Sequence, residues 1–162
     1  MLRIGLGSDL HCREEGRPLV LGGVHLPCEW GLKGHSDADA LLHAVIDAIL
    51  GALALGDIGG WFPDTDPRWK GADSRQLLKT VLDDPRVKEW QIVNVDSIIT
   101  TEKPKLAPHI MDIRRSLAAC LEIPPEQVSV KAKTNEKQDA IGAGLALAVQ
   151  AIVLLEKRSP VS

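Results

Sequence analysis

Apolar positions along this chain follow two periods. Between Asp37 and Leu55, the residues Leu41, Leu42, Val45, Ile46, Ile49, Leu50 and Leu53 recur at helical spacing, which predicts a helix over 37–55. Ser36 followed three residues later by Asp39 gives it a capping-box-like start. Helical spacing also predicts helices over Ser74 to Val87 and over Pro108 to Leu121, the latter with proline in its first turn. Strands are predicted for Met1 to Ser8, for Gln91 to Thr101 through Ile92, Val93, Val95, Ile98 and Ile99, and for Val128 to Ala132. Pro18 to Pro27 reads as a hairpin broken at Gly22-Gly23. Leu145 to Leu155 is apolar except for Gln150, so periodicity does not separate buried strand from buried helix, and strand is the reading taken. The run from Trp61 to Ser74, rich in proline, glycine and charge, is expected to be a mobile loop. The sum is an α+β fold with a mixed sheet and helices on one side, and the all-apolar final segment points to a face covered by another subunit.

Composition narrows this further. With 162 residues, 44% of them hydrophobic, the chain builds one core, so a single domain over residues 1–162 is expected. A net charge of −3 without a Lys/Arg stripe argues against nucleic acid as a partner. No stretch approaches the roughly 18 apolar residues that a bilayer requires, and no leader pattern opens the chain, so a cytoplasmic protein without membrane contact is expected. Cys12, Cys28 and Cys120 are odd in number and lack CxxC spacing, which favours reduced thiols.

The candidate chemistry begins at Asp9 and His11, two residues apart on a predicted strand and hence on one face. With His43 on the predicted helix they make two imidazoles and a carboxylate, a set that suits Zn²⁺ and leaves the fourth tetrahedral position open. Asp39, His43 and Asp47 step by four, so a carboxylate one turn away is expected to orient the His43 ring, Asp47 being the residue assigned that part. His35 and Ser36 lie just ahead of this helix, where free N–H groups favour phosphate. Asp57 and Gly59 in GDIGG, and Asp64 and Asp66 in FPDTD, place further carboxylates in turns that could bind substrate hydroxyls or support the chain. KPKLAPH and VKAKTNEK follow predicted strands, and Glu136 in the latter could hold a Mg²⁺ that bridges phosphates.

Five blocks, SDLH, HSDADALLHAVIDAILGALALGDIG, FPDTDPRWKGADS, IITTEKPKLAPHI and VKAKTNEK, resemble in order the signature blocks of the 2-C-methyl-D-erythritol 2,4-cyclodiphosphate synthase family. The resemblance implies a homotrimer of α+β subunits with active sites at the subunit interfaces. It implies conversion of 4-diphosphocytidyl-2-C-methyl-D-erythritol 2-phosphate to the cyclic diphosphate and CMP, within non-mevalonate isoprenoid biosynthesis. It places zinc ligands at Asp9, His11 and His43, and a second divalent ion, Mg²⁺ or Mn²⁺, at Glu136. His35 and Thr134 would position the transition state. Ser36, Asp57, Ile58, Gly59, Phe62, Asp64 and Asp66 would surround the methylerythritol part, and Thr101, Pro104, Lys105, Leu106, Ala107, Ala132 and Lys133 would hold the cytidine and its phosphates. The stretch DAIGAGLAL departs from the family, with Ala143 and Leu145 where an Arg and a Glu are common, so an isoprenoid-diphosphate site on the trimer axis is not expected. Two readings from other classes stay open: a zinc-dependent phosphohydrolase releasing linear products, and a non-catalytic trimeric binding protein.

Overall fold

The computed structural model of the chain describes residues 1–159, and the last three positions of the expected domain lie outside the described residues. One sheet is built from β1 (Leu2–Glu15), β4 (Trp30–Leu32), β5 (Trp90–Thr100), β6 (Val128–Lys133) and β7 (Ala146–Lys157), in the order β4-β1-β7-β5-β6. β5 and β6 run parallel and the other neighbours antiparallel, so the sheet is mixed, as expected. β2 (Leu19–Leu21) and β3 (Val24–Leu26) form the expected hairpin as a separate ribbon. The helices are α1 (Ala40–Ala52), α2 (Ile58–Trp61), α3 (Ser74–Asp83), α4 (Pro85–Lys88), α5 (Ile110–Leu121) and α6 (Asp139–Gly142).

Side-chain alternation in β1 sets the geometry of the whole domain. Gly5, Gly7, Asp9 and His11 point to one face, while Leu2, Ile4, Leu6 and Leu10 point to the other and are 58–69% exposed. α1 lies on the glycine face, against both β1 and β7. Its approach is very close: a Cβ on Gly5 would fall 1.9 Å from the Ala48 carbonyl oxygen, and one on Gly7 1.9 Å from that of Ala44. Small residues on both sides allow this, and every residue of α1 except Asp47 and Gly51 is buried. Behind the helix, Leu147, Val149, Ala151, Val153 and Leu155 of β7 complete the core.

Several boundaries differ from the sequence reading, each for a local reason. α1 starts at Ala40, because Asp39 and not Ser36 is its N-cap: the Asp39 carboxylate accepts the Leu42 N–H at 3.0 Å. The helix expected over Ser74 to Val87 breaks at Asp84, whose extended backbone precedes Pro85 and caps α4. The run from Trp61 to Ser74 contains the end of α2 and a 3-10 turn at Pro67–Trp69 capped by Asp66. β1 extends well past Ser8, through both Asp9 and His11. The last apolar run is a strand, β7, as read. Cys12, Cys28 and Cys120 are free thiols.

Candidate metal centre

The glycine-mediated contact between β1 and α1 carries Asp9 and His11 up to His43. Asp9 Oδ2 lies 2.7 Å from His11 Nε2 and 3.0 Å from His43 Nδ1, and the two ring nitrogens are 3.4 Å apart. One ligand atom from each residue falls within 4.8 Å of the other two, a grouping of metal-binding type. The three side chains are mostly shielded from solvent, with 11–22% of their side-chain surface exposed.

Hydrogen-bond partners surround both rings. His11 Nδ1 lies 2.7 Å from the Lys33 carbonyl oxygen, which can only accept, so Nδ1 carries the proton and Nε2 offers its lone pair inward. His43 Nε2 lies 2.9 Å from Ser74 Oγ and 3.2 Å from Ser36 Oγ, on the side away from Asp9. In the metal-free centre the Asp9 carboxylate accepts from whichever ring nitrogen carries an inward proton; with the ring protons turned outward instead, two nitrogen lone pairs and a carboxylate converge. A divalent cation satisfies such a set, and three protein ligands leave a fourth position for a substrate oxygen. Burial pushes the Asp9 carboxyl up, yet the hydrogen bonds and charges of His11 and His43 outweigh it and hold it at about 2. For His11, burial lowers the ring's value, and its hydrogen bond to Asp9 with that carboxylate's charge more than reverses this, leaving it raised. The place where a proton sits between Asp9 and His11 is the place a cation would take.

Two carboxylates expected to orient His43 do other work. Asp39 is wholly buried and accepts the N–H groups of Gly22 at 2.9 Å and Gly23 at 2.7 Å, besides capping α1, so it fastens the hairpin to the helix. Asp47, assigned as the orienting group, instead accepts the Ile58 N–H at 2.7 Å and anchors α2. The ring is held by Ser74 and Ser36, of which sequence reasoning missed Ser74 altogether. Nothing in the spacing links Ser74 to a histidine 31 residues earlier.

A cavity of about 220 Å³ opens beside the three ligands. It gathers the expected residues His35, Ser36, Ile58, Gly59, Phe62 and Asp64, and adds Trp69, which packs edge-on against Phe62 at 4.9 Å between ring centroids. His35 Nε2 lies 3.3 Å from the Asp66 carbonyl oxygen, tying the segment before α1 to the 3-10 turn. The Asp66 carboxylate itself pairs with Arg68, and Asp57 caps α2 through the Gly60 N–H at 2.8 Å. A larger groove of about 840 Å³, between α3, α5 and the start of β5, lies apart from all of these residues.

The remaining expected residues form a second group. Thr101 is buried and donates from Oγ1 to the Lys103 carbonyl oxygen at 2.5 Å; Pro104, Lys105, Leu106 and Ala107 follow it. The Thr101 N–H donates to the Lys133 carbonyl oxygen at 2.9 Å, which joins this loop to Ala132 and Lys133 at the end of β6. Thr134 Oγ1 donates to Glu136 Oε1 at 2.5 Å, and both side chains are exposed. In register, Thr100 pairs with Ala148 and Ala148 with Leu10, so this group stands at the same level of the sheet as Asp9 and His11, two strands away. At about 4.8 Å per strand that is roughly 10 Å of lateral separation. Among the described residues, none of this second group lines the cavity beside Asp9, His11 and His43.

Fold and site together define an α+β protein with a candidate metal centre set between a strand and a helix. The chain belongs to the YgbB family, whose model matches residues 2–156. It is 54% identical over 156 residues to the 2-C-methyl-D-erythritol 2,4-cyclodiphosphate synthase of Chloroherpeton thalassium, covering 96% of this chain and 99% of that one. The enzyme of the same name from Geobacillus kaustophilus is 55% identical over 157 residues, covering 97% and 99%. Among solved structures, a CDP-bound form of 2C-methyl-D-erythritol-2,4-cyclodiphosphate synthase superposes with a TM-score of 0.87 at 39% identity, over 95% of this chain and all of that one. The bifunctional IspDF of Campylobacter jejuni gives 0.93 at 39% identity over 98% of this chain, which spans 43% of that longer protein. A CDP complex from Plasmodium falciparum gives 0.84 at 34%, covering 98% and 97%.

Proposed function

We propose that this chain, a single domain over residues 1–162, converts 4-diphosphocytidyl-2-C-methyl-D-erythritol 2-phosphate to 2-C-methyl-D-erythritol 2,4-cyclodiphosphate and CMP. The observation that carries the reading is the convergence of Asp9, His11 and His43 beside a small cavity in a chain whose relatives bear that enzyme's name. In the reaction, an oxygen of the substrate's own 2-phosphate attacks the β-phosphorus, and the bond from that phosphorus to the bridging oxygen breaks, so CMP leaves with the electron pair. No covalent nucleophile is needed from the protein, and because attacking and leaving groups belong to one substrate molecule and no water is consumed, the enzyme is a phosphorus–oxygen lyase.

Zinc held by Asp9, His11 and His43, with Mg²⁺ or Mn²⁺ at Glu136, would supply charge neutralisation for the phosphates. The protein's own residues do the rest. Ile58, Gly59, Phe62 and Asp64 line the cavity where the methylerythritol part would lie. His35 lines the same cavity and hydrogen-bonds the Asp66 carbonyl. Thr134, Glu136, Ala132, Lys133 and the Thr101–Ala107 loop would take the cytidine diphosphate end, in keeping with the CDP bound by two structural relatives. Folding the substrate so that its phosphates meet is an entropy trap, for which effective molarities reach roughly 10⁵ M or more.

The two groups of residues become one site if the sheets of neighbouring subunits meet. Leu2, Ile4, Leu6, Leu10 and Ile152 make an exposed apolar sheet face of the kind that a partner covers. That face supports the homotrimer. The deciding experiment is ³¹P NMR of the protein with its substrate and Mg²⁺, before and after zinc is stripped. Cyclic diphosphate and CMP, lost with the metal and restored by it, are expected. Linear hydrolysis products would move the assignment to a phosphohydrolase, and an unchanged spectrum would leave a binding protein.

A further inference from the structure

We propose that Asp37 and Ser74 form a positioning relay that fixes the tautomer of His43 and thereby the affinity of the metal centre, an inference that rests on the metal reading above. Ser74 is fully buried at the first position of α3, with its Oγ 2.9 Å from His43 Nε2. That hydroxyl donates its proton to Asp37 Oδ1, while Asp37 Oδ2 accepts the Ser74 backbone N–H at 3.0 Å. The carboxylate is itself held in place: its Oδ1 takes the Asp39 N–H at 3.2 Å, and the Asp37 backbone N–H donates to the Ala72 carbonyl oxygen at 3.0 Å.

A hydroxyl has one proton. Once the charge-assisted bond to Asp37 takes it, Ser74 Oγ can only accept from the ring, which draws the proton of neutral His43 to Nε2 against the pull of the Asp9 carboxylate, 3.0 Å from Nδ1. Nδ1 is then left with its lone pair toward Asp9 and His11, the arrangement a metal requires. Ser36 cannot supply this direction. Its Oγ, 3.2 Å from Nε2, accepts the Ala38 N–H at 3.2 Å, which leaves its own proton free to turn toward the ring and favour the opposite tautomer. That tautomer would aim an N–H into the centre. Asp37 therefore acts at two removes, through Ser74, and neither residue need touch substrate.

The test uses full-length protein as wild type, Ser74→Ala, Ser74→Thr and Asp37→Asn, each checked for fold by circular dichroism. Long-range ¹⁵N–¹H correlation spectra of the metal-free proteins, recorded under alkaline conditions where imidazoles are neutral, read the His43 tautomer. Competition with a chromophoric chelator reads zinc affinity. Wild type and Ser74→Thr should show the Nε2–H form, whereas Ser74→Ala and Asp37→Asn should populate the Nδ1–H form and lose about ten- to a hundredfold in zinc affinity. An Nδ1–H tautomer in wild type would overturn the proposal, as would a Ser74→Ala protein that keeps both tautomer and affinity. If Ser74→Ala does not fold, Asp37→Asn decides by the same two readouts. Wild type that shows the Nε2–H form and binds no zinc would sink the metal reading while leaving the tautomer relay standing.

Discussion

Asp9 on β1 and His43 on α1 face each other across 3.0 Å, and each is brought there by glycine-to-alanine contacts, Gly7 against Ala44, the residue after His43, and Gly5 against Ala48, one turn further on. His43→Ala removes a ligand and leaves the Asp9–His11 pair with two donors for a cation. Zinc should be lost on gel filtration, and turnover should fall by a factor on the order of 10³ or more, read by CMP release. A variant that keeps stoichiometric zinc and wild-type turnover would remove His43 from the centre.

The same contact sets a steric limit. Gly7→Ala places a methyl carbon 1.9 Å from the Ala44 carbonyl oxygen, an overlap that only separation of α1 from β1 can relieve. We expect a loss of roughly 3 kcal/mol or more in denaturant unfolding, or failure to fold. Gly16→Ala is the control: its positive φ, +74°, carries a backbone cost that Gly7 lacks, but nothing lies within 4 Å of the added carbon, so the loss should stay near about 1 kcal/mol.

Asp39 serves three backbone donors with one buried carboxylate. Asp39→Ala leaves the N–H groups of Gly22, Gly23 and Leu42 without that acceptor and should cost roughly 3–5 kcal/mol, with the hairpin and the first turn of α1 losing hydrogen-exchange protection first. Uniform loss of protection across the sheet would contradict the fastening role.

Protons and metal compete at this centre with a definite sign. In metal-free protein, Asp9, lowered from 3.8 to about 2, contributes stability above pH 3.8 that is lost as pH falls toward 2. His11, raised above 6.5, contributes stability below 6.5 that is lost as pH rises through its higher value. Zinc must displace the His11 proton, so the rise in Tm on adding zinc should grow as pH climbs through the neutral range. Thermal melts with zinc and with chelator, compared across pH, check this; a zinc-induced shift that does not vary with pH would refute it.

The exposed face of β1 gives a test of assembly. Leu6→Arg puts a charge on a residue that is 65% exposed in the isolated chain and would be buried between sheets of a trimer. Light scattering should report three chains for wild type and one for the variant, with little change in far-ultraviolet circular dichroism. A monomeric wild type would end the trimer proposal.

Much of the architecture follows from local physics and so was legible in the chain itself. The apolar periods mark α1, β5 and β6 because helices and strands bury one face at fixed intervals, whereas β7 reads only as an apolar run whose type periodicity leaves open. Asp9 and His11 had to share a face, since alternate residues of a strand do, and their side-chain chemistry already favoured a metal. Tertiary structure decided what those rules leave open. Asp39 and Asp47 step with His43 along α1, yet their carboxylates bind the hairpin and α2, because the fold delivers backbone donors to them from elsewhere in the chain. Ser74 and Asp37, 37 residues apart in sequence, meet only when the start of α3 packs beside the entry to α1. Residue types and periods are written one position at a time, whereas the tautomer of His43 depends on which oxygen the folded chain delivers to its far side.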